Sequence, residues 1–279
     1  MIDHHTAAGA RQPSDEEKEL APIAGDLTHD AFLDGRVMLL QPRSGYRAGI
    51  DAVFLAAAAQ PQERRSSLAI LDAGAGVGAV GLLALRRLEE RVDVSATLIE
   101  RSPQLAALAE RNAHDNGFAS RARVVCADLL GRASALEAAD IHRESFDLVL
   151  SNPPYHVDAH GTLSVNDVKA GAHAMGEGDL DRWARALAHL TRPGGEVVIV
   201  HKAENLEHVL AAFSPRFGSL RIKPLHPRAG EPAKRILVKG VKGSRAPLTL
   251  LPGINLHLEG NEFHADAKLI LRDGAGLWL

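Results

Sequence analysis

Cysteine is nearly missing from the 279 residues, with Cys126 alone. One thiol builds neither a disulfide framework nor a cysteine-based zinc site, and the shortage fits a reducing cytosol. Long apolar runs are missing too. The longest alanine-rich stretch, Ala52 to Ala59, stops at eight residues, far short of the ~18 that a membrane helix needs. The opening MIDHHTAAGARQPSDEEKEL has no basic segment followed by an apolar one, which argues against a signal peptide. No segment recurs at a fixed period, which excludes solenoids and propellers. Neither sign of charge dominates: 32 Lys and Arg against 35 Asp and Glu leave −3. Taken whole, that figure argues against a nucleic-acid partner.

What is present, 46% hydrophobic and 24% charged residues, is an ordinary soluble composition, long enough for one large domain or two small ones. Residues 1 to 28 are polar, carry DEEKE and two prolines, and lack apolar periodicity, so a flexible tail is expected before a single domain over 29–279. From residue 68 onward, β-rich runs alternate with helical ones. LAILD (68–72), VSATLIE (94–100), ARVVCAD (122–128) and FDLVLSN (146–152) each end in polar groups. Ser102-Pro103 offers a helix N-cap with proline at the first helical position, and Gly117 can close that helix. A helix over Leu180 to Leu190 is followed by the turn Arg192-Pro193-Gly194-Gly195 and a fifth strand, EVVIV. Such alternation predicts an α/β fold, a parallel sheet with helices on both faces, and ligands past the carboxyl ends of its strands. After a helix over 204–213, LRIKPL and KRILVKGV flank HPRAGEPA and predict an antiparallel hairpin with a long turn. The last twenty residues predict another short antiparallel element.

The turn Asp72-Ala73-Gly74-Ala75-Gly76-Val77-Gly78 joins a strand to a helix. Glycines there let the backbone approach a ligand without a Cβ in the way. Dinucleotide enzymes use similar turns, and Glu100, at the end of the next strand, can take two ribose hydroxyls for either kind of cofactor. Two acids tilt the choice. Asp72 at the mouth of the turn suits an ammonium better than a pyrophosphate, and Asp128 at the third strand's tip can accept from an adenine amine. S-adenosylmethionine carries an ammonium, a ribose and an adenine, and no phosphate.

Ser151-Asn152-Pro153-Pro154-Tyr155 follows the fourth strand directly. Two prolines stiffen this loop. The Asn152 side-chain oxygen and the Pro153 carbonyl can then accept the two hydrogens of a planar amine. Drawing those hydrogens out of plane localises the nitrogen lone pair, which can attack a sulfonium methyl in line without a strong base. Tyr155 offers a face on which a base can stack, worth roughly 1–3 kcal/mol.

These motifs, with QPRSGYRAGIDAVFLAAA (41–58) and PRAGEPAKRILVKG (227–240), resemble class I S-adenosylmethionine-dependent methyltransferases of the small-domain type, which modify exocyclic or amide nitrogens. Within that group the chain is most similar to bacterial tRNA adenine-N6 methyltransferases acting beside the anticodon of a valine tRNA. The resemblance implies a Rossmann-like sheet of seven mostly parallel strands with a C-terminal antiparallel hairpin. It implies cofactor contacts from Asp72, Gly74, Gly76, Gly78, Glu100, Asp128 and Asn152, with Gly49 to Asp51 covering the methionine end. It also implies that Asn152, Pro153 and Tyr155 hold the target amine. Two positions depart from the pattern. Val77 stands where many relatives carry a hydroxyl or thiol, and His156 where an aromatic residue is frequent.

Other groups need weighing against simpler roles. His156, Asp158 and His160 share one face of an extended loop, yet no further ligand cluster accompanies them, and a substrate-facing loop is the better expectation than a metal site. Phe32 to Leu40 and Ala52 to Ala59 need only be core. Tyr46 and Arg47 sit in a glycine-flanked loop, where Arg47 suits either an anion or a surface ion pair. Residues 216–245 hold nine Lys or Arg against one acid, Glu231, a net +8. If a hairpin gathers them, Arg221, Lys223, Arg228, Lys234, Arg235, Lys239 and Lys242 form a phosphate-binding patch, whereas edge protection asks for fewer charges. The expectation is therefore a cytoplasmic methyltransferase acting on N6 of an adenine in tRNA or another structured RNA, with no membrane and no metal. The alternatives are a protein glutamine or rRNA guanine-N2 methyltransferase, or a non-catalytic RNA-binding protein on the same fold.

Overall fold

The computed structural model describes residues 27–45, 47–60, 66–153 and 178–279. The expected tail thus lies almost wholly outside the described residues. The described chain opens on a hairpin, β1 (Leu27–Phe32) and β2 (Val37–Pro42), paired antiparallel from Leu27↔Pro42 to Phe32↔Val37. Its turn carries Asp34-Gly35, the dipeptide that most strongly favours a tight reversal, with φ of 58° and 83°.

There follow α1 (Ile50–Ala57), β3 (Ser67–Ala73), α2 (Ala79–Leu88), β4 (Asp93–Glu100), α3 (Pro103–Asp115), β5 (Ala122–Cys126) and α4 (Ala133–Ala138). Next come β6 (Phe146–Ser151), α5 (Asp179–Leu190), β7 (Thr191–Lys202), α6 (Leu206–Phe213), β8 (Phe217–His226) and β9 (Arg235–Lys242). Seven strands line up as β5-β4-β3-β6-β7-β9-β8; the first five are parallel, and β9 runs antiparallel to both neighbours. The expected mostly parallel sheet with its C-terminal hairpin is therefore present. Strands β3, β4 and β5 step outward in one direction and β6 returns to the other side of β3. This reversal opens a crevice at the carboxyl ends of β3 and β6, the place where such sheets take ligands.

Two expectations need correction. The turn at Arg192 to Gly195 is a bulge within β7: Thr191 pairs with Phe146 and Glu196 with Leu148, so the intervening residues loop out of register. At the C-terminus, β10 (Thr249–Leu250) and β11 (Ile254–Asn255) run parallel to β8. The last twenty residues, expected as a short antiparallel element, supply only the isolated antiparallel bridge His257↔Phe263 before turning helical. Residues Ala265–Lys268 form α7, which runs into a π turn at Leu269–Asp273. Ala267 and Ile270, three apart, are both buried, and that helical spacing prevails over the strand-like look of LILR.

The core has two halves, one on each face of the sheet. Helix α1 buries six of its eight residues, so the alanine-rich run is core, as expected. It packs with Leu82, Leu85, Leu98, Val198 and Val200, while Val149, Leu187, Ile199 and Phe213 fill the other side. Among the described residues no helix is long and apolar enough to cross a membrane.

The hairpin docks through two side-chain amides. Asn112 of α3, 1% exposed, accepts from the Leu40 N–H (2.7 Å) and donates to the Leu40 carbonyl (3.1 Å) and the Val77 carbonyl (2.9 Å). Asn116, one helical turn on, repeats the pattern with the N–H (2.9 Å) and carbonyl (2.7 Å) of Met38. Amides four residues apart thus serve as a strand partner for β2. Asn112→Ala strands buried main-chain groups and should cost about 3 kcal/mol, roughly 6–12 °C in Tm. Asn116→Ala, where water can replace the amide, should cost under about 1 kcal/mol. Equal losses in thermal unfolding of the two variants would contradict this account.

Candidate active site

The turn after β3 passes through Gly74, Gly76 and Gly78 with φ of 77°, 56° and 85°. The three glycines are needed for different reasons. A Cβ at Gly74 would press on the Trp183 ring at 3.2 Å, and one at Gly78 would meet Leu98 at 2.8 Å. A Cβ at Gly76 would meet nothing within 4 Å. Packing below the turn therefore demands the outer glycines, and the middle one borders open space that a ligand can fill.

Glu100 is buried and clamps this turn. One carboxylate oxygen accepts from the Gly76 N–H and the other from the Ser102 N–H, both at 2.8 Å. A carboxylate oxygen carries two lone pairs, so each retains capacity for a hydroxyl. Asp72 lies elsewhere than expected. It sits beneath the turn, 1% exposed, and accepts from the Gly81 N–H at 2.8 Å. The first turn of α2 has no side-chain cap from Gly78, so Asp72 meets one of its orphan donors from below. Burial pushes the Asp72 carboxyl up to about 7; the Gly81 bond opposes this and the Glu100 charge adds to it. Asp128 is exposed past β5, where it accepts from the Leu130 N–H at 2.9 Å.

The rung Ser151↔Ala73↔Ile99 orders the site. Asn152 and Glu100 each stand one residue beyond it, on the two strands flanking the glycine turn, and so about 10 Å apart across the sheet. The buried Ser151 hydroxyl donates to the Ala73 carbonyl (2.7 Å) and accepts from the Trp183 indole N–H (3.0 Å). Asn152 is half-buried and Pro153 buried. Pro154, Tyr155, His156, Asp158, His160 and Tyr46 lie outside the described residues.

Sequence reasoning missed Trp183. Its spacing with Leu187 and Leu190 gives only an apolar helix face, and nothing in the sequence shows that its ring supports Gly74. Val77 is buried, and its carbonyl is held by Asn112. Ahead of α1, buried Gln41 accepts from the Ala48 N–H (2.8 Å), and Arg47 pairs with Asp30 (2.6 Å). Of the two roles open to Arg47, the structure has the ion pair. Gly49 then leads into α1, whose Asp51 pairs with Arg235 at 2.8 Å.

That last contact belongs to a larger correction. The basic stretch does not form one patch, because strand alternation divides it and distant acids neutralise it. Lys239 pairs with Glu196 (2.8 Å), Lys242 with Glu144 (3.0 Å), Arg216 with Asp181 (2.8 Å) and Arg228 with Glu231 (3.5 Å). Arg221 donates to the Leu279 carbonyl at 2.7 Å, and burial pushes the half-buried Lys223 ammonium down. Lys202 pairs across to Arg235 at the carboxyl end of β7. Of the seven expected residues, only Arg228, Lys234 and Arg235 therefore belong to the crevice end of the hairpin.

A parallel sheet with a reversal at β3 and β6, a glycine turn clamped by a strand-end glutamate and an Asn-Pro loop across the crevice are the features of a nucleoside-cofactor methyltransferase. The model of the methyltransferase small domain matches residues 52–221, and the chain belongs to that family. A solved structure described as a predicted O-methyltransferase from Agrobacterium tumefaciens is 32% identical and superposes with a TM-score of 0.67, covering 82% of this chain and 99% of that one. Among curated relatives, a tRNA1(Val) (adenine(37)-N6)-methyltransferase of Enterobacter sp. is 32% identical over 47% of this chain and 49% of its own. One of the same name from Shewanella halifaxensis is 26% identical over 84% of this chain and 88% of its own. A release factor glutamine methyltransferase of Chlorobaculum tepidum is 34% identical over 50% of this chain and 44% of its own. The chain thus spans about half the length of the first and third of these. S-adenosylmethionine is the cofactor of this fold family, and the open cradle at Gly76 with the carboxylate of Glu100 fits it.

The Asp72 carboxyl makes stability depend on pH. Its folded-state value lies above the usual 3.8, at about 7. The folded chain therefore holds a proton that the unfolded chain releases, a contribution complete below about pH 4 and lost as pH rises through 7. Asp72→Asn keeps an oxygen for Gly81 and removes the titration. From pH 5 to pH 8 the Tm of the wild type should fall relative to that variant; a constant difference would refute the assignment.

Proposed function

We propose that the chain transfers a methyl group from S-adenosylmethionine to N6 of an adenine in tRNA. The observation that carries this reading is the Ser151-Asn152-Pro153 stretch, bound through Ser151 to the same rung that starts the glycine turn. The bound cofactor supplies an electrophilic methyl group. Glu100 accepts the ribose hydroxyls, Asp128 the adenine amine of the cofactor, and the segment Gly49 to Asp51 covers its methionine end. Asp72, whose carboxyl is raised to about 7, adds negative potential from beneath the turn when it is ionised. Asn152 and Pro153 accept the two hydrogens of the target amine, with Tyr155 as the stacking face. Catalysis is then chiefly positioning, with the nitrogen at about 3–3.5 Å from the methyl carbon in line with the bond that breaks.

For tRNA, support comes from the name of the Shewanella relative, whose match runs over most of both chains. Arg228, Lys234 and Arg235 would meet phosphates, and the exposed Arg228–Glu231 pair, worth about 0–1 kcal/mol, exchanges readily for such a contact. A second reading, a glutamine side chain of a protein, is favoured by the neutralised basic stretch and by the release factor relative.

Incubation with labelled S-adenosylmethionine, total tRNA and a release factor, followed by mass spectrometry, separates the two. The expected product is N6-methyladenosine in tRNA. Asn152→Ala should lower turnover by about 100-fold or more while S-adenosylhomocysteine affinity stays within about threefold by calorimetry. Label confined to protein or to guanosine contradicts the proposal, as does an equal loss of turnover and affinity.

A further inference from the structure

At the amino ends of the strands, away from the crevice, α2 ends and a short turn leads into β4. Because β4 spans eight residues, this region lies about 25 Å from the glycine turn. A cavity of about 480 Å³ opens there, lined by Arg36, Arg86, Arg87 and Arg91.

Arg86 has a structural role. It pairs with Glu89 (2.6 Å), donates to the Arg36 and Asn116 carbonyls, and lies over the Phe118 ring. Glu89 also meets Arg121 at 3.6 Å. The other three arginines differ. Arg36 donates to the carbonyls of Leu33 (3.0 Å) and Arg272 (2.9 Å), and Arg87 to those of Gly274 (3.1 Å), Ala56 and Ala59. The Arg91 side chain makes no hydrogen bond among the described residues, and only its main-chain N–H donates, to the Leu88 carbonyl (2.8 Å). None of the three has a carboxylate within ion-pair distance there, although Glu90 and Asp273 also border the cavity. Main-chain carbonyls thus hold two guanidiniums in place without cancelling their charge. Burial and the charges of Arg91 and Arg36 push Arg87 down to about 10. The carboxyl end of α2 attracts cations and so accounts for Arg86 and Arg87. It does not account for Arg36, from the β1–β2 turn, or Arg91, from the turn before β4.

We propose that this cavity binds a phosphate group between Arg36, Arg87 and Arg91. A guanidinium fork matches phosphate oxygens two at a time. An anion also relieves the repulsion among three guanidiniums that no carboxylate of the described residues meets at ion-pair distance, although Glu89, Glu90 and Asp273 border the same cavity. The phosphate can belong to a free polyphosphate or to an RNA backbone. The inference stands apart from the methyl-transfer reading.

Arg91→Ala is the informative variant, because the side chain supports nothing else. In wild type, pyrophosphate at ten times its Kd should raise Tm saturably by about 3 °C or more over sodium chloride of equal ionic strength. In Arg91→Ala the rise should shrink at least threefold, which identifies a free phosphate ligand. Anisotropy of a labelled single-stranded RNA should otherwise show at least threefold weaker binding in the variant, which identifies a backbone phosphate. If Arg91→Ala changes neither measurement, the proposal is wrong.

Discussion

The site depends on one hydroxyl. Ser151 joins the carbonyl of Ala73, where the glycine turn begins, to the indole of Trp183, which supports Gly74. The same residue precedes Asn152. A single buried group therefore sets the spacing between the cofactor turn and the amine-holding loop, on adjacent strands at the point where the sheet reverses. Transfer between two bound molecules tolerates little error in that spacing, and strands with a fixed register hold it better than loops do.

Around this point the acids act on the backbone before they act on any ligand. Glu100 ties the turn to the start of α3, and Asp72 ties the start of α2 from beneath. A carboxylate out of water is costly in its charged form, and the raised value of Asp72 expresses chiefly that burial, with the Glu100 charge adding a smaller part. A cation above the turn would lessen it, which couples cofactor charge to the state of Asp72. Asn112 extends the network outward, because its amide holds both β2 and the Val77 carbonyl.

Much of this was legible in the sequence. The strands expected over 68–72, 94–100, 122–128 and 146–152 followed from apolar runs broken by polar residues, and they end within two residues of the observed Ala73, Glu100, Cys126 and Ser151. The glycine turn and Asn-Pro loop followed from local chemistry. What failed were inferences about partners distant in the chain. The basic stretch is +8 when counted along the sequence, but Asp51, Glu144, Glu196 and Asp181 come from four other segments. Trp183 looked like any apolar helix residue. Asp72 was assigned to the mouth of the turn because sequence does not reveal on which side of a turn a strand-end side chain falls. Sequence reasoning missed the β1–β2 hairpin as well, because Phe32 to Leu40 reads only as core, although Asp34-Gly35 carries the signal for its turn.

Fluorescence of the single-tryptophan variant Trp278→Phe tests the central claim most directly. Trp278 is 72% exposed, and its removal leaves Trp183, under the glycine turn, as the one tryptophan, excited apart from the two tyrosines. Titration with S-adenosylhomocysteine should change that emission saturably, with the same Kd as calorimetry. Calorimetric binding without any change in emission would place the cofactor away from the turn that Trp183 supports, and would contradict the account.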